Sequence, residues 1–485
     1  MLNWESRQTS IRPAWFNLMN QLTRRNFNRS FLAAGGSAAA FALLAQSARA
    51  DQSTDLGKLR LTSFRFNVTP PVGHSLCGGW IKPVVATDDD LEAIGFVLQG
   101  CGDPIVICAV DWTGLLNSAH VRWRQSLAQA AGTTPDRVAV QCVHQHNAPF
   151  ACLDAQAIVA AEGDLPEIVN VAFFEECLDR AKAAVTQSLN HFRPVTHVAW
   201  HQTKVQQVAS NRRVSRDESG KVLAMRGSSC RDETLRALPE GLIDPWAKSI
   251  AFYDGEKRLA ACHYYATHPM SYYGDGRVSS DFVGLARKRL QANEPDTCHL
   301  YFTGCAGNIT AGKYNNGSPE MRQVLADRIH APLLNNLQQM RPVAVDRVAW
   351  STVDVLPLPN SALSAEAIQR QISDPSQSVV NRNRPAYQLA WLKRLQSGLP
   401  ITISHLRING AGMLHLPAES FIEYQLAAQE MFGGEFLATA AYGDGGSWYI
   451  PVASEYPNGG YEVSVAFSDP QIDKTLREAI KRVTA

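Results

Sequence analysis

From residue 59 onward, apolar and polar positions divide the chain into short strands and longer helices. LRLTSFRFNV (59–68) alternates apolar and polar residues, as a half-buried strand does. AIGFVLQG and PIVICAVD are apolar runs on either side of Gly102-Asp103 and predict a pair of strands joined by a turn. Residues 115–131 place Leu116, Ala119, Trp123, Leu127 and Ala130 at helical spacing, and Gly132 stops the helix. Val138, Val140 and Cys142 then mark a strand. FFEECLDRAKAAVTQSLNHF (173–192) is a helix ended by Pro194, and residues 249–269 form a second strand pair around Asp254-Gly255. Another helix begins at Ser318-Pro319, with serine as cap and proline in the first turn. Residues 345–357 are strand-like, and 362–398 are polar and helical, expected as a surface insertion. LRINGAGMLHLP followed by ESFIEYQLAAQEMFGG reads as strand, turn and helix, ending at Gly433. This alternation predicts an α/β layered sandwich, with mixed β-sheets and covering helices, as a single catalytic domain. The strand pairs 94–111 and 249–269 resemble each other loosely, which raises a duplicated half-domain.

The first fifty residues depart from this pattern. They contain Arg24-Arg25 after Thr23, a mildly apolar stretch from Phe31 to Gln46 broken by Gly35-Gly36, and Ala48-Arg49-Ala50 as a cleavage signal. We read residues 1–50 as a twin-arginine signal peptide, which directs residues 51–485 to the periplasm or outside the cell. A weak membrane anchor is the alternative. The leader holds six of the 46 Lys and Arg and one of the 45 Asp and Glu, which leaves 40 basic and 44 acidic residues, net −4. No long basic run follows, so nucleic-acid binding has no electrostatic footprint. No later stretch is apolar enough to span a membrane, so membrane contact is at most peripheral. The ten cysteines contain no C-x-x-C pair, and buried thiols are the expectation for most of them.

Four stretches carry candidate chemistry. In RVAVQCVHQHNAPF (137–150), a strand through Val138 and Cys142 that continued would turn His144 and His146 to one face at its C-terminal end, where α/β sites form. Two satisfied structural histidines are the plainer account. His268 ends the strand pair at 249–269, held extended by Pro269. Glu419 follows Pro417, which opens a helix, so Glu419 is expected in its first turn, where compensation of the helix dipole would also explain it. The loop GDGGSWYIPVASEYPNGGYEV carries Tyr449, Tyr456 and Tyr461, for which aromatic packing is the ordinary role. Two histidines, a carboxylate and an open position make a catalytic zinc site. No H-E-x-x-H helix, G-x-S-x-G elbow or P-loop is present.

Taken in order, these stretches resemble the catalytic domain of the neutral/alkaline, non-lysosomal ceramidases. VHQHNAPF is similar to that family's T-H-T-H-S-G-P segment, and YYATHPMSYY with VSSDFVGLA to its F-A-x-H-P-x-S-M and S-D-x-x-G-x-A. GCAGNITAG resembles N-x-G-D-V-S-P-N, LPAESFIEYQ resembles P-G-E-F-T-T, and SWYIPVASEYPNGGYE resembles Y-x-x-Y-x-T-T-x-E-E-Y-x-x-x-x-Y-E. The resemblance implies one zinc ion held by His144, His268, Glu419 and Tyr449. It further implies that His146, Arg212 and Tyr461 surround the scissile carbonyl and that Thr310 meets the substrate head group; Arg213 is the weaker match for the arginine. Thr310 replaces the family's serine, Asn308 its aspartate, and Asn147-Ala148 its Ser-Gly. The family's C-terminal immunoglobulin-like domain is expected to be missing.

The function implied is hydrolysis of the N-acyl amide of a ceramide-like lipid to fatty acid and amine, by an exported zinc amidohydrolase with His146 as general acid/base. Alternatives are the same zinc scaffold acting on an N-acyl amino sugar or amino lipid, and a catalytically silent lipid- or glycan-binding protein. A serine hydrolase built on Ser280, Asp281 and a histidine is the remaining alternative, without a nucleophile elbow to support it.

Overall fold

The computed structural model describes residues 49–52 and 59–485. The twin-arginine leader expected over residues 1–50 lies outside the described residues, except for Arg49 and Ala50. Those two begin a short strand, Arg49–Gln52, and all described residues fall in one compact unit. Three five-stranded mixed sheets, covered by helices, make up the bulk of it.

All three sheets share one plan. In the first, Arg60–Asn67, Glu92–Gln99 and Ile105–Val110 form an antiparallel meander, helix Ser118–Ala131 crosses over, and Val138–Cys142 returns parallel to Ile105–Val110. In the second, the meander is His197–Lys204, Trp246–Asp254 and Lys257–Tyr265, the helix is Asp281–Asn293, and Cys298–Thr303 is the parallel return. In the third, the corresponding elements are Val348–Val355, Ile401–Ile408, Ala411–His415, helix Ile422–Met431 and Phe436–Ala440. The resemblance of 94–111 to 249–269 is therefore two-thirds of a threefold repetition. Its third copy, at 401–415, is shorter and turns on Asn409-Gly410, with Asn409 left-handed at φ 51°.

The inner strands are apolar on both faces because sheet packs on sheet. Ile105–Val110 and Cys298–Thr303 are buried at every residue. Phe96 meets Phe252 between the first two sheets, with ring centroids 5.3 Å apart, and Phe302 meets His415 between the second and third at 6.2 Å. The Trp350 indole donates to Asp136 O between third and first. The parallel strands converge at their C-terminal ends, where hydrogen bonds link the sheets in a ring. Cys142 N donates to Tyr442 O (2.8 Å), Ala441 N to Thr303 O (2.9 Å), and the Thr303 hydroxyl to Val143 O (2.6 Å).

Two expectations change. The segment 362–398 is not simply a surface insertion. Its helix Val379–Gln396 buries Tyr387 and Trp391 together with Arg382, Asn383 and Arg394, and the Trp391 indole donates to Phe467 O at 3.1 Å. Glu419 is not in a helical first turn. Ala418 is left-handed (φ 51°), Glu419–Ser420 is a short strand parallel to Tyr449–Ile450, and the helix begins only at Ile422. No helix among the described residues is long and apolar enough to cross a membrane. All ten cysteines are buried.

Candidate metal centre

The ring of strand ends carries the site. After Val138–Cys142 the chain does not continue extended. His144 has φ 76°, a left-handed conformation that costs a non-glycine residue about 1–3 kcal/mol and marks a constrained position. Its amide donates to Trp112 O, and its ring stacks on Tyr442 with centroids 4.1 Å apart. Its Nδ1 lies 2.6 Å from Thr113 O. A carbonyl only accepts, so Nδ1 carries the proton and Nε2 is left with a free lone pair. His268, just past Lys257–Tyr265, is held in the same way: Nδ1 lies 2.7 Å from Ala306 O and 3.1 Å from Ile309 O. The loop 304–312 that supplies these carbonyls is kept close by Gly307, where a Cβ would stand 2.2 Å from Glu419 O.

Glu419 enters from the third sheet. Its Oε2 lies 3.1 Å from His268 Nε2 and 3.3 Å from His144 Nε2. Tyr449 is its register partner in the parallel pair, and the Tyr449 hydroxyl lies 3.5 Å from His268 Nε2. Two imidazole lone pairs and a carboxylate oxygen thus face one another in a buried space, and His144 Nε2 has no hydrogen-bond partner. Like dipoles pointing together are unfavourable unless a cation lies between them. A proton does not supply it near neutrality on His268, whose pKa burial pulls down to about 4 against the opposing pull of Glu419. Burial by itself raises the Glu419 pKa, but His144 and His268 outweigh it and hold the carboxyl well below its usual range. The donor set of two neutral imidazoles, a carboxylate and a phenol oxygen fits a divalent transition metal. Burial, with Glu419 adding and Arg212 opposing, raises the Tyr449 phenol well above its ordinary pKa, so its ionisation would need such a cation.

His146 lies beside this set. Its ring is 4.9 Å from that of His144 and 5.8 Å from that of His268, and the three histidines alone bring ligand nitrogens within 4.8 Å of one another. Its buried Nδ1 has no partner, and burial followed by the two neighbouring imidazoles lowers its pKa well below 6.5. Arg212 Nη1 donates to Tyr449 OH at 3.2 Å and to Gly307 O at 3.4 Å. Arg213 instead turns away into the protein and binds Glu455 and Glu462. The Tyr461 ring lies 5.7 Å from that of Tyr449 and is the exposed edge of the site.

These side chains open into a cavity of about 340 Å³, whose far walls include Trp80, Phe150, Tyr273 and Trp448. Seven of the eight residues expected from sequence line it together. Thr310 does not. It is fully buried, and its hydroxyl donates to Gly227 O (3.2 Å) while accepting from Gly312 N (3.3 Å); neighbouring Ser228 lines the cavity instead. Asn308 is structural, its Oδ1 accepting from Ile422 N at the start of the third helix. Ser280 is buried and donates to Asp89, with no histidine among its hydrogen bonds. The aromatic wall and Arg384, which donates to Tyr461 OH at 2.6 Å, were missed from sequence. Trp448 stood inside the flagged glycine-rich loop, whereas Trp80 and Arg384 carry no local motif.

The described residues thus form a layered α/β domain with a buried cluster of histidine, carboxylate and tyrosine side chains at its converging strand ends. No family model and no curated protein matches the sequence. Among solved structures, neutral ceramidase from Pseudomonas aeruginosa superposes with a TM-score of 0.64 at 16% identity, over 88% of this chain and 74% of that one. A ceramidase complexed with C2 superposes with a TM-score of 0.64 at 13% identity, over 88% of this chain and 75% of that one. The chain has the fold of the neutral ceramidases.

Proposed function

We propose that this protein is a zinc-dependent amidohydrolase that cleaves the N-acyl amide of a ceramide-like lipid, releasing fatty acid and amine. The observation that carries the proposal is that Nε2 of His144 and Nε2 of His268 both face Oε2 of Glu419 as acceptors, at 3.3 and 3.1 Å. The shared fold with neutral ceramidases and the ordered motifs point to the same chemistry. His144, His268, Glu419 and Tyr449 would hold the ion. Bound there, zinc supplies Lewis acidity and activates water near neutral pH.

The chain's own groups account for the rest of amide hydrolysis. His146, neutral and with an unpartnered nitrogen at the cavity wall, takes a proton from the attacking water and returns it to the leaving amine. The Tyr461 hydroxyl already accepts from Arg384, which leaves its proton free to be donated to the developing oxyanion. Arg212 orients Tyr449 and adds positive charge beside it. Trp80, Phe150 and Trp448 offer an apolar wall for an acyl chain and exclude water from it. With Thr310 turned away from the cavity, head-group selection falls to other residues, so N-acyl amino lipids and amino sugars stay within the proposal. Export by the twin-arginine route, to the periplasm or outside the cell, belongs to the same proposal.

Incubating the purified protein with a short-chain ceramide and measuring free fatty acid, with and without a zinc chelator, tests it. Chelator-sensitive release supports metal, reaction and substrate class together. Zinc binding without release from any N-acyl amide would leave a binding protein and refute the enzyme.

A further inference from the structure

Arg384 touches two residues that line the cavity, Trp80 and Tyr461, and its contact with Tyr461 alone does not explain its position. It sits on helix Val379–Gln396, half-buried, with its guanidinium carbon 5.2 Å from the Trp80 ring centre and 5.6 Å from that of Tyr461. Among the described residues no carboxylate pairs with it. The other arginines around the cavity are compensated. Arg213 binds Glu455 at 2.7 Å and Glu462 at 2.8 Å, Arg216 binds Glu455 at 2.9 Å, and Arg212 lies 3.6 Å from Glu462. Glu419 is taken by the imidazoles. Arg212, Arg213 and Arg216 therefore share the two carboxylates Glu455 and Glu462, Arg384 beside Trp80 and Tyr461 pairs with neither, and any bound divalent ion adds to the excess of positive charge.

Resting on the amidase reading above, we infer that the preferred substrate is an N-acylated amine bearing a carboxylate close to the scissile amide, as in an N-acyl α-amino acid, and that Arg384 receives that carboxylate. The closeness follows from the geometry. Arg384 touches Tyr461, and Tyr461 lies ring to ring with Tyr449, so one side chain separates the guanidinium from the reacting centre. A carboxylate many bonds from the amide would overshoot it. Arginine pairs with carboxylates through two parallel hydrogen bonds, and the rings of Trp80 and Tyr461 flank the guanidinium. The apolar wall of Trp80, Phe150 and Trp448 takes the acyl chain, as in the parent proposal.

The test compares N-lauroylglycine with the similarly sized but neutral N-lauroylethanolamine, in the zinc-loaded wild type, Arg384→Gln and Arg384→Lys. The expected result is a wild-type kcat/KM at least tenfold higher for the glycine conjugate. The ratio collapses toward one in Arg384→Gln and is partly kept in Arg384→Lys. Equal losses on both amides in Arg384→Gln would show that Arg384 acts only through Tyr461, and would overturn the inference. So would a wild type with no preference. If neither amide is cleaved, the ceramide assay above decides the amidase reading, and calorimetric binding of the same two amides to the same proteins decides this one: an anion preference lost in Arg384→Gln upholds the Arg384 site, and its absence overturns it.

Discussion

Arg212 and Arg213 are adjacent in sequence and opposite in role, and replacing each by methionine separates the two. Arg213 is almost fully buried and makes charged hydrogen bonds to Glu455 (3.1 and 2.7 Å) and Glu462 (2.8 Å), with a fourth bond to Gly459 O at 2.7 Å. Its loss leaves Glu462, itself fully buried, with only the more distant Arg212. Breaking a buried ion pair on one side costs about 3–5 kcal/mol. Unfolding a body of roughly 430 residues changes entropy by about 0.9 kcal/mol/K, so Arg213→Met lowers Tm by about 3–6 °C. Arg212 makes longer contacts, and Glu462 keeps Arg213 when Arg212 is removed. Arg212→Met therefore costs about 1 kcal/mol and about 1 °C, while turnover falls sharply because the charge beside Tyr449 is gone. Calorimetric melts at one protein concentration, with metal content matched, provide the comparison. If Arg212→Met melts as low as Arg213→Met, or Arg213→Met melts within a degree of wild type, the division of labour is wrong.

The metal ligands and the substrate-facing groups separate in a second pair of measurements. His144→Ala or Glu419→Gln loses zinc on dialysis, read by elemental analysis, whereas His146→Ala or Tyr461→Phe retains it and loses turnover by about 10²–10³; full activity in His144→Ala would disprove the site. Gly307→Ala drives a methyl group against the Glu419 backbone, where its Cβ would stand 2.2 Å from the carbonyl oxygen, so metal retention weakens although no ligand has changed. Unaltered zinc content there would mean the loop 304–312 does not set the position of Glu419. Acid destabilises the fold through buried histidines outside the site: burial lowers His120 and His299 to about 4 and His405 and His415 to about 3. Their folded pKa values lie below the unfolded 6.5, so the unfolded chain binds more protons and stability falls as pH drops from about 6.5, by about 2 kcal/mol per histidine at pH 5. A urea midpoint at pH 5 equal to that at pH 7 would contradict this.

The sequence was legible where the pattern is local. Alternation and helical spacing located the meander and crossover helix of the first sheet and the hairpin of the second, but not strand His197–Lys204 or helix Asp281–Asn293, and the histidines at strand ends stood out because Pro269 and Asn147 stop the strands. Glu419 was placed in a helix because Pro417 ordinarily opens one. The left-handed turn at Ala418 and the pairing with Tyr449–Ile450 override that preference, and neither leaves a mark within a few residues. Arg384 and Trp80 were invisible for a related reason. Their meeting depends on a helix that reads as polar yet buries Arg382, Asn383 and Arg394 along with Tyr387 and Trp391, so polarity did not report which of its residues face inward.

The threefold plan explains why a site can be assembled from residues more than 300 positions apart. Each sheet contributes one hairpin strand and one parallel return, and the six strand ends meet at a single ring of hydrogen bonds. In an α/β layer the loops beyond those ends are freed from the ladder and point into the space between sheets. His144 follows the return strand of the first sheet, and His268 follows the hairpin strand of the second. Glu419 follows the hairpin strand of the third, and Tyr442, which stacks on His144, follows its return strand. Each sheet thus supplies side chains to the same point, and no pair of the proposed ligands belongs to one helix or one hairpin. A short motif could not encode such a centre, which is why no H-E-x-x-H pattern marks it. What encodes it is the repetition of a fold unit, together with the identity of the residue at each copy's strand end.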